Sequence, residues 1–171
     1  MNTNAIKTIA AHAVSIGLAA VFSSATVARA HVVLEYQVAP AASSYKATFK
    51  VGHGCGESAT RQISVAIPAG VTGARPMRKP GWDLQVEPGR ITWTAKTRDD
   101  VLPTSFYDEF VLVATLPRQA GTLYGPVSQV CEQGRSDWTG IPAPGQALHE
   151  LKSPAAALEI LPADGAGGHS H

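Results

Sequence analysis

Seven side chains and one cut site carry the chemistry that this sequence offers. His31 follows Ala28-Arg29-Ala30, a small-x-small pattern that signal peptidase accepts. Cleavage there makes His31 the first residue, and its free amine and ring Nδ1 can then close one chelate ring on a metal ion. A terminal amine ordinarily titrates near ~7.7–8.0 and an imidazole near ~6.5, so both serve as neutral donors around neutral pH. That pair favours Cu(II), which tops the divalent affinity order and takes tetragonal nitrogen and oxygen donors. A histidine at a cut site also arises by chance, so His31 alone is weak support. His53 lies between glycines in Gly52-His53-Gly54-Cys55-Gly56; with little to pack against, it is either a second ligand or a surface-loop residue.

Cys55 and Cys131 are the two cysteines of the chain. An even count in an exported protein predicts one disulfide, the alternative being two buried thiols. Closing a loop of ~75 residues is worth ~4 kcal/mol in the chain-entropy account. A bridge would carry Glu132 towards the His53 loop. There it could be an oxygen ligand, an acceptor fixing a histidine tautomer, or equally a solvated glutamate. Glu109 interrupts an apolar stretch, so it either pairs with a basic residue or faces the site. Trp138 could cover the metal, although core packing is the default for a tryptophan. With both cysteines tied up and Met77 the one methionine after residue 30, a type 1 blue-copper or soft Cu(I) centre is not expected. No G-x-S-x-G, HExxH or phosphate-binding glycine loop occurs. The tail histidines His169 and His171 could capture metal loosely, but a flexible end is the plainer reading.

Positioning these residues falls to an exported β domain. Residues 1–30 read as a signal peptide: Lys7, then an apolar run from Ile9 to Phe22, then the cut. That run falls short of the ~20 apolar residues a spanning helix needs. The remaining roughly 140 residues suit one domain, 31–161, followed by the tail 162–171. A net charge of +1 excludes an electrostatic case for nucleic acid. Twelve prolines and sixteen glycines favour many turns and short strands.

Residues 31–38 alternate, with Val32, Leu34, Tyr36 and Val38 on one face, and 45–51 alternate again. An antiparallel hairpin of these two places His31 near Gly52-His53-Gly54. Further strands are expected over 61–67, 82–86, 91–95, 106–116, 122–132 and 136–139. Trp82, Leu84, Val86, Ile91 and Trp93 are core candidates. Residues 71–77 form an edge piece containing Pro76, and 157–161 an edge strand. The middle of 106–116 is expected to be buried on both faces. Seven or eight strands at this spacing predict an all-β, immunoglobulin- or cupredoxin-like antiparallel sandwich.

His31-Val32 after a leader, His53-Gly54-Cys55, Lys79-Pro80-Gly81-Trp82, Tyr107-Asp108-Glu109-Phe110, Leu123-Tyr124-Gly125-Pro126-Val127-x-Gln129-x-Cys131-Glu132 and Trp138 together resemble the YcnI family of secreted bacterial domains. The resemblance runs from His31 to about Leu161. It implies a cupredoxin-like sandwich that binds Cu(II) through a single-histidine brace, with acidic ligands and a nearby tryptophan; the brace maps onto His31 and the tryptophan onto Trp138. Members lacking the cysteines place a glutamate about where His53 lies, so this chain departs towards a two-histidine site. Many members carry a C-terminal membrane helix, which has no counterpart here.

The first functional reading is a monomeric periplasmic or secreted Cu(II)-binding protein of copper trafficking, with copper chaperones or importers as partners. The second is a histidine-brace copper oxygenase acting on a polysaccharide. The third is a metal-free structural or adhesion domain. A binding protein is preferred to an enzyme.

Overall fold

The computed structural model describes residues 31–163. Residues 1–30, read above as a signal peptide, and the tail histidines His169 and His171 lie outside the described residues. Among the described residues no helix is long and apolar enough to cross a membrane.

The centre of the fold is the pairing of β3 (Ser44–Val51) with β8 (Asp108–Thr115), antiparallel along all eight residues. Side chains alternate between faces, so Tyr45, Ala47 and Phe49 oppose Ala114, Leu112 and Phe110 on one buried face, and Val51, opposite Asp108, is buried with them. β1 (Val33–Leu34) and β5 (Thr72–Pro76) flank this pair in the order β1-β3-β8-β5. Pro76, with no N–H to give a ladder, sits on the edge strand as expected. The facing sheet holds β4 (Thr60–Ala66), β6 (Trp82–Glu87), β7 (Arg90–Ala95), β10 (Val127–Cys131) and β11 (Arg135–Trp138) in the order β11-β10-β4-β7-β6. Phe110 joins the layers, its ring edge-on to Trp82 at 5.0 Å and to Trp93 at 5.7 Å. Both tryptophans are core, as their alternation predicts. A third sheet, β2 (Val38–Pro40), β12 (Ala156–Leu161) and β9 (Gly121–Gly125), closes one side in the order β2-β12-β9.

This is the expected all-β sandwich, with four departures. The run 31–38 is not one strand. It breaks at 35–37, where the Tyr45 hydroxyl donates to the Tyr36 carbonyl and the Glu159 N–H donates to the Gln37 carbonyl at 2.8 Å. The chain thereby leaves β3 and runs parallel to β12. The parity resets, so Tyr36 and Val38 are exposed and Ala39 is buried. Burial, and then the nearby Glu35 charge, push the Tyr45 hydroxyl up to about 12, so it stays a donor.

The run 122–132 also splits, at Pro126, into β9 and β10 in different sheets. Residues 156–161 form the middle of the third sheet rather than an edge. Splitting raises the strand number among the described residues to twelve. Finally, Val86 is exposed, not core. Val111 and the Thr48 opposite it are buried on the far side of β8, so the middle of that strand is covered on both faces as predicted.

Candidate metal centre

β1 pairs with β3 in the register Val33↔Lys50 and Leu34↔Phe49. Continuing that antiparallel register sets His31 against the Gly52-His53 segment, as the hairpin predicted. The structure then adds a third partner from the opposite sheet. Trp138, at the end of β11, packs edge-on to the His31 ring at 5.4 Å between centroids and to the His53 ring at 6.2 Å. One indole therefore serves both imidazoles. Trp138 is buried while the two histidines are half-buried, so the tryptophan is at once a core residue and a wall of the site.

The His53 loop is held at several points. His53 Nδ1 lies 2.5 Å from the Gly54 carbonyl. A carbonyl only accepts, so Nδ1 is the donor in that contact. Cys55 and Cys131 form the predicted disulfide, with Cα atoms 6.0 Å apart. The Cys55 N–H donates to the Ser58 carbonyl at 3.0 Å, and a Cβ on Gly54 would stand 1.9 Å from that same carbonyl. Only glycine allows so close a backbone approach there.

Two predicted carboxylates are placed elsewhere. Cys131 ends β10 buried, and Glu132 follows it in a bend at the surface. Glu132 is exposed and lies 3.6 Å from the Arg98 guanidinium. Glu109 opposes Lys50 on the outer side of β8 and accepts the Tyr107 hydroxyl at 2.5 Å. Desolvation, then that bond, then the charges of Glu109, Glu35 and Asp108 push Tyr107 up to about 12. Lys79 pairs with Asp108, at 2.5 Å, rather than with the Glu109 carboxylate. Among the described residues no three His, Cys, Asp or Glu side chains come together as a metal-holding group. Among the described residues, neither glutamate is drawn into such a group with the histidine pair.

The chain matches a family profile, the domain of unknown function DUF1775, over residues 31–91 and 87–160. It belongs to that family. YcnI-like proteins are members of it, in keeping with the resemblance in the motifs. Among curated proteins none matches. An uncharacterized protein from Nocardia farcinica with an immunoglobulin-like fold is similar in structure, with a TM-score of 0.65, 25% identity, and coverage of 76% of this chain and 97% of that one. The seventh ScaB type I cohesin from Pseudobacteroides cellulosolvens aligns at a TM-score of 0.46 and 9% identity, covering 82% of this chain and 97% of that one.

Within this DUF1775 domain two more residues lie near the histidines. His149 borders the same groove as His31, together with Gln37, Leu148 and Pro154; nothing in its local sequence signals this. Gln129, fully buried on β10, accepts the Trp138 indole N–H at 3.1 Å and donates to the His53 carbonyl at 2.7 Å. A polar residue at an inward position between Val127 and Cys131 was a usable signal.

Proposed function

We propose that the mature domain binds Cu(II) at the His31–His53–Trp138 corner and serves periplasmic copper trafficking. One observation carries the reading: a single buried indole flanked by two imidazoles from segments far apart in sequence. The donors present fit the ion. A His31 freed by cleavage would offer its amine and ring nitrogen, and His53 would offer Nε2. Three nitrogen donors with room for water suit a tetragonal Cu(II) site. Trp138 would shield one side, and the carbonyl on His53 Nδ1 would hold that ring in its ligating tautomer. Copper here is cargo, to be accepted and passed on. The partner would be a copper chaperone or importer.

The test is a Cu(II) titration of the chain beginning at His31 against one extended by a single residue. Tight binding only when His31 is terminal supports the reading; equal binding by both removes the chelate from it.

An oxygenase reading has one observation in its favour. Tyr36, Phe106 and Tyr107 are exposed, and Phe106 and Tyr107 directly precede Asp108, the partner of Val51 at the start of the His53 loop. Ascorbate-driven peroxide production or glycan cleavage by the copper-loaded protein would favour it over trafficking.

A further inference from the structure

Gln129 is a polar residue in the most protected part of the facing sheet, with no exposure to solvent. Leaving any of its polar atoms unmatched there would cost ~1–3 kcal/mol. None is unmatched. Its partners also dictate which way the amide faces. Trp138 Nε1–H can only donate, so Oε1 must meet it, at 3.1 Å. The His53 carbonyl can only accept, so Nε2 must meet that, at 2.7 Å. The second Nε2 hydrogen goes to the Thr60 hydroxyl oxygen, also at 2.7 Å. The Thr60 hydroxyl, its oxygen so engaged, is left to donate weakly to Cys131 Sγ at 3.9 Å, and the Cys55 N–H donates to the same sulfur at 2.9 Å. A continuous polar chain thus runs from the indole, through one amide, to the His53 backbone and the disulfide.

We infer that Gln129 is the positioning residue of this corner: a single side-chain amide sets the indole of Trp138 and the backbone of His53 in one fixed relation, and through the indole fixes the His31 ring as well. The inference deepens the copper reading and rests on it for its functional meaning. Gln129 touches no metal. It acts by holding Trp138 on β11 and the His53 loop to the same point on β10, so that neither can shift alone. Methionine at 129 matches its length and fills the space, yet offers no N–H to the His53 carbonyl and no oxygen to the indole.

Two readouts on Gln129→Met separate positioning from mere stability. In metal-free protein, nuclear magnetic resonance should show faster exchange of the Trp138 indole N–H and displaced ring resonances for both His31 and His53. With copper, the dissociation constant should rise roughly tenfold or more, with altered nitrogen hyperfine structure. Leu158→Ala, a core truncation in the third sheet, supplies the comparison; it should lower the melting temperature without moving either readout. If Gln129→Met does not fold, Gln129→Asn takes its place, since its amide is one methylene too short to reach all three partners. Unchanged indole exchange and ring resonances in the folded variant overturn the inference. So does an equal loss of copper affinity in Leu158→Ala. If the unmodified protein binds no copper, the trafficking reading falls while the metal-free measurements still decide the role of Gln129.

Discussion

The ring of His31 stands edge-on to the indole of Trp138, 5.4 Å between centroids and 67° between planes. The two residues belong to opposite layers of the sandwich. Their contact joins the segment entering β1 to the last strand of the facing sheet, and it marks the corner where the His53 loop also arrives.

A cupric ion bound at that corner would lie beside Trp138 and quench its fluorescence. Trp82 and Trp93, in contact with Phe110 in the core, should be affected less. Titrating the chain that begins at His31 should therefore quench one emission component, and Trp138→Phe should remove that component. His31→Ala should weaken binding by roughly a hundredfold or more, near 3 kcal/mol. Retained affinity would place copper elsewhere.

His53→Ala tests the proposed second nitrogen donor. Affinity should fall roughly tenfold, and the copper spectrum should lose the hyperfine lines of one imidazole. An unaltered spectrum assigns His53 to the loop alone. Glu132→Ala should behave differently, because Glu132 faces solvent and pairs with exposed Arg98. Its loss should change copper affinity by about twofold or less, the scale of a surface ion pair. A tenfold loss would bring Glu132 back as a ligand.

The disulfide closes a separation of 76 residues, so replacing Cys55 and Cys131 by alanine should cost about 4 kcal/mol on the chain-entropy account. Thermal unfolding measures this. Since Cys55 also pins the His53 loop, the reduced protein should bind copper more weakly even well below its melting temperature. Affinity that does not move on reduction would confine the bridge to stability.

Acid should loosen the hairpin that carries Trp138. Asp137 is hydrogen-bonded first to Arg135, at 2.7 Å, and then to Ser128, also at 2.7 Å, and these bonds hold its carboxyl below the usual aspartate range. A depressed carboxyl contributes stability above its unfolded value, near ~3.9, and loses it as pH falls through the folded value. The pair is well exposed, with side chains at 59% and 42%, so the effect should be small. Asp137→Asn should flatten the acid side of the melting-temperature profile below about pH 4. A profile that keeps its slope would assign the acid sensitivity to other carboxylates.

How much could be read before the fold was seen follows the reach of each physical signal. Alternating apolar residues and turn residues are local, and they were enough for the sandwich class, the β3 and β8 strands, the β6–β7 hairpin and the nearness of His31 to His53. An even cysteine count was enough to expect the bridge. Strand continuity was not legible, because the breaks at 35–37 and at Pro126 arise where backbone groups find partners in a different sheet.

What the amino-acid order determined by itself, then, is the list of donors and the period that pleats them into strands. Only the tertiary structure decided which donors meet. Glu132 falls in the surface bend just past β10, beside Arg98, while Cys131 is buried against Cys55. The pairing Lys50↔Glu109 put that carboxylate on the outer side of its sheet. Gln129 gained its place because Trp138, His53 and Thr60 converge on one buried amide from three separate elements. Such convergence is a property of packing between layers, and no window along the chain contains it.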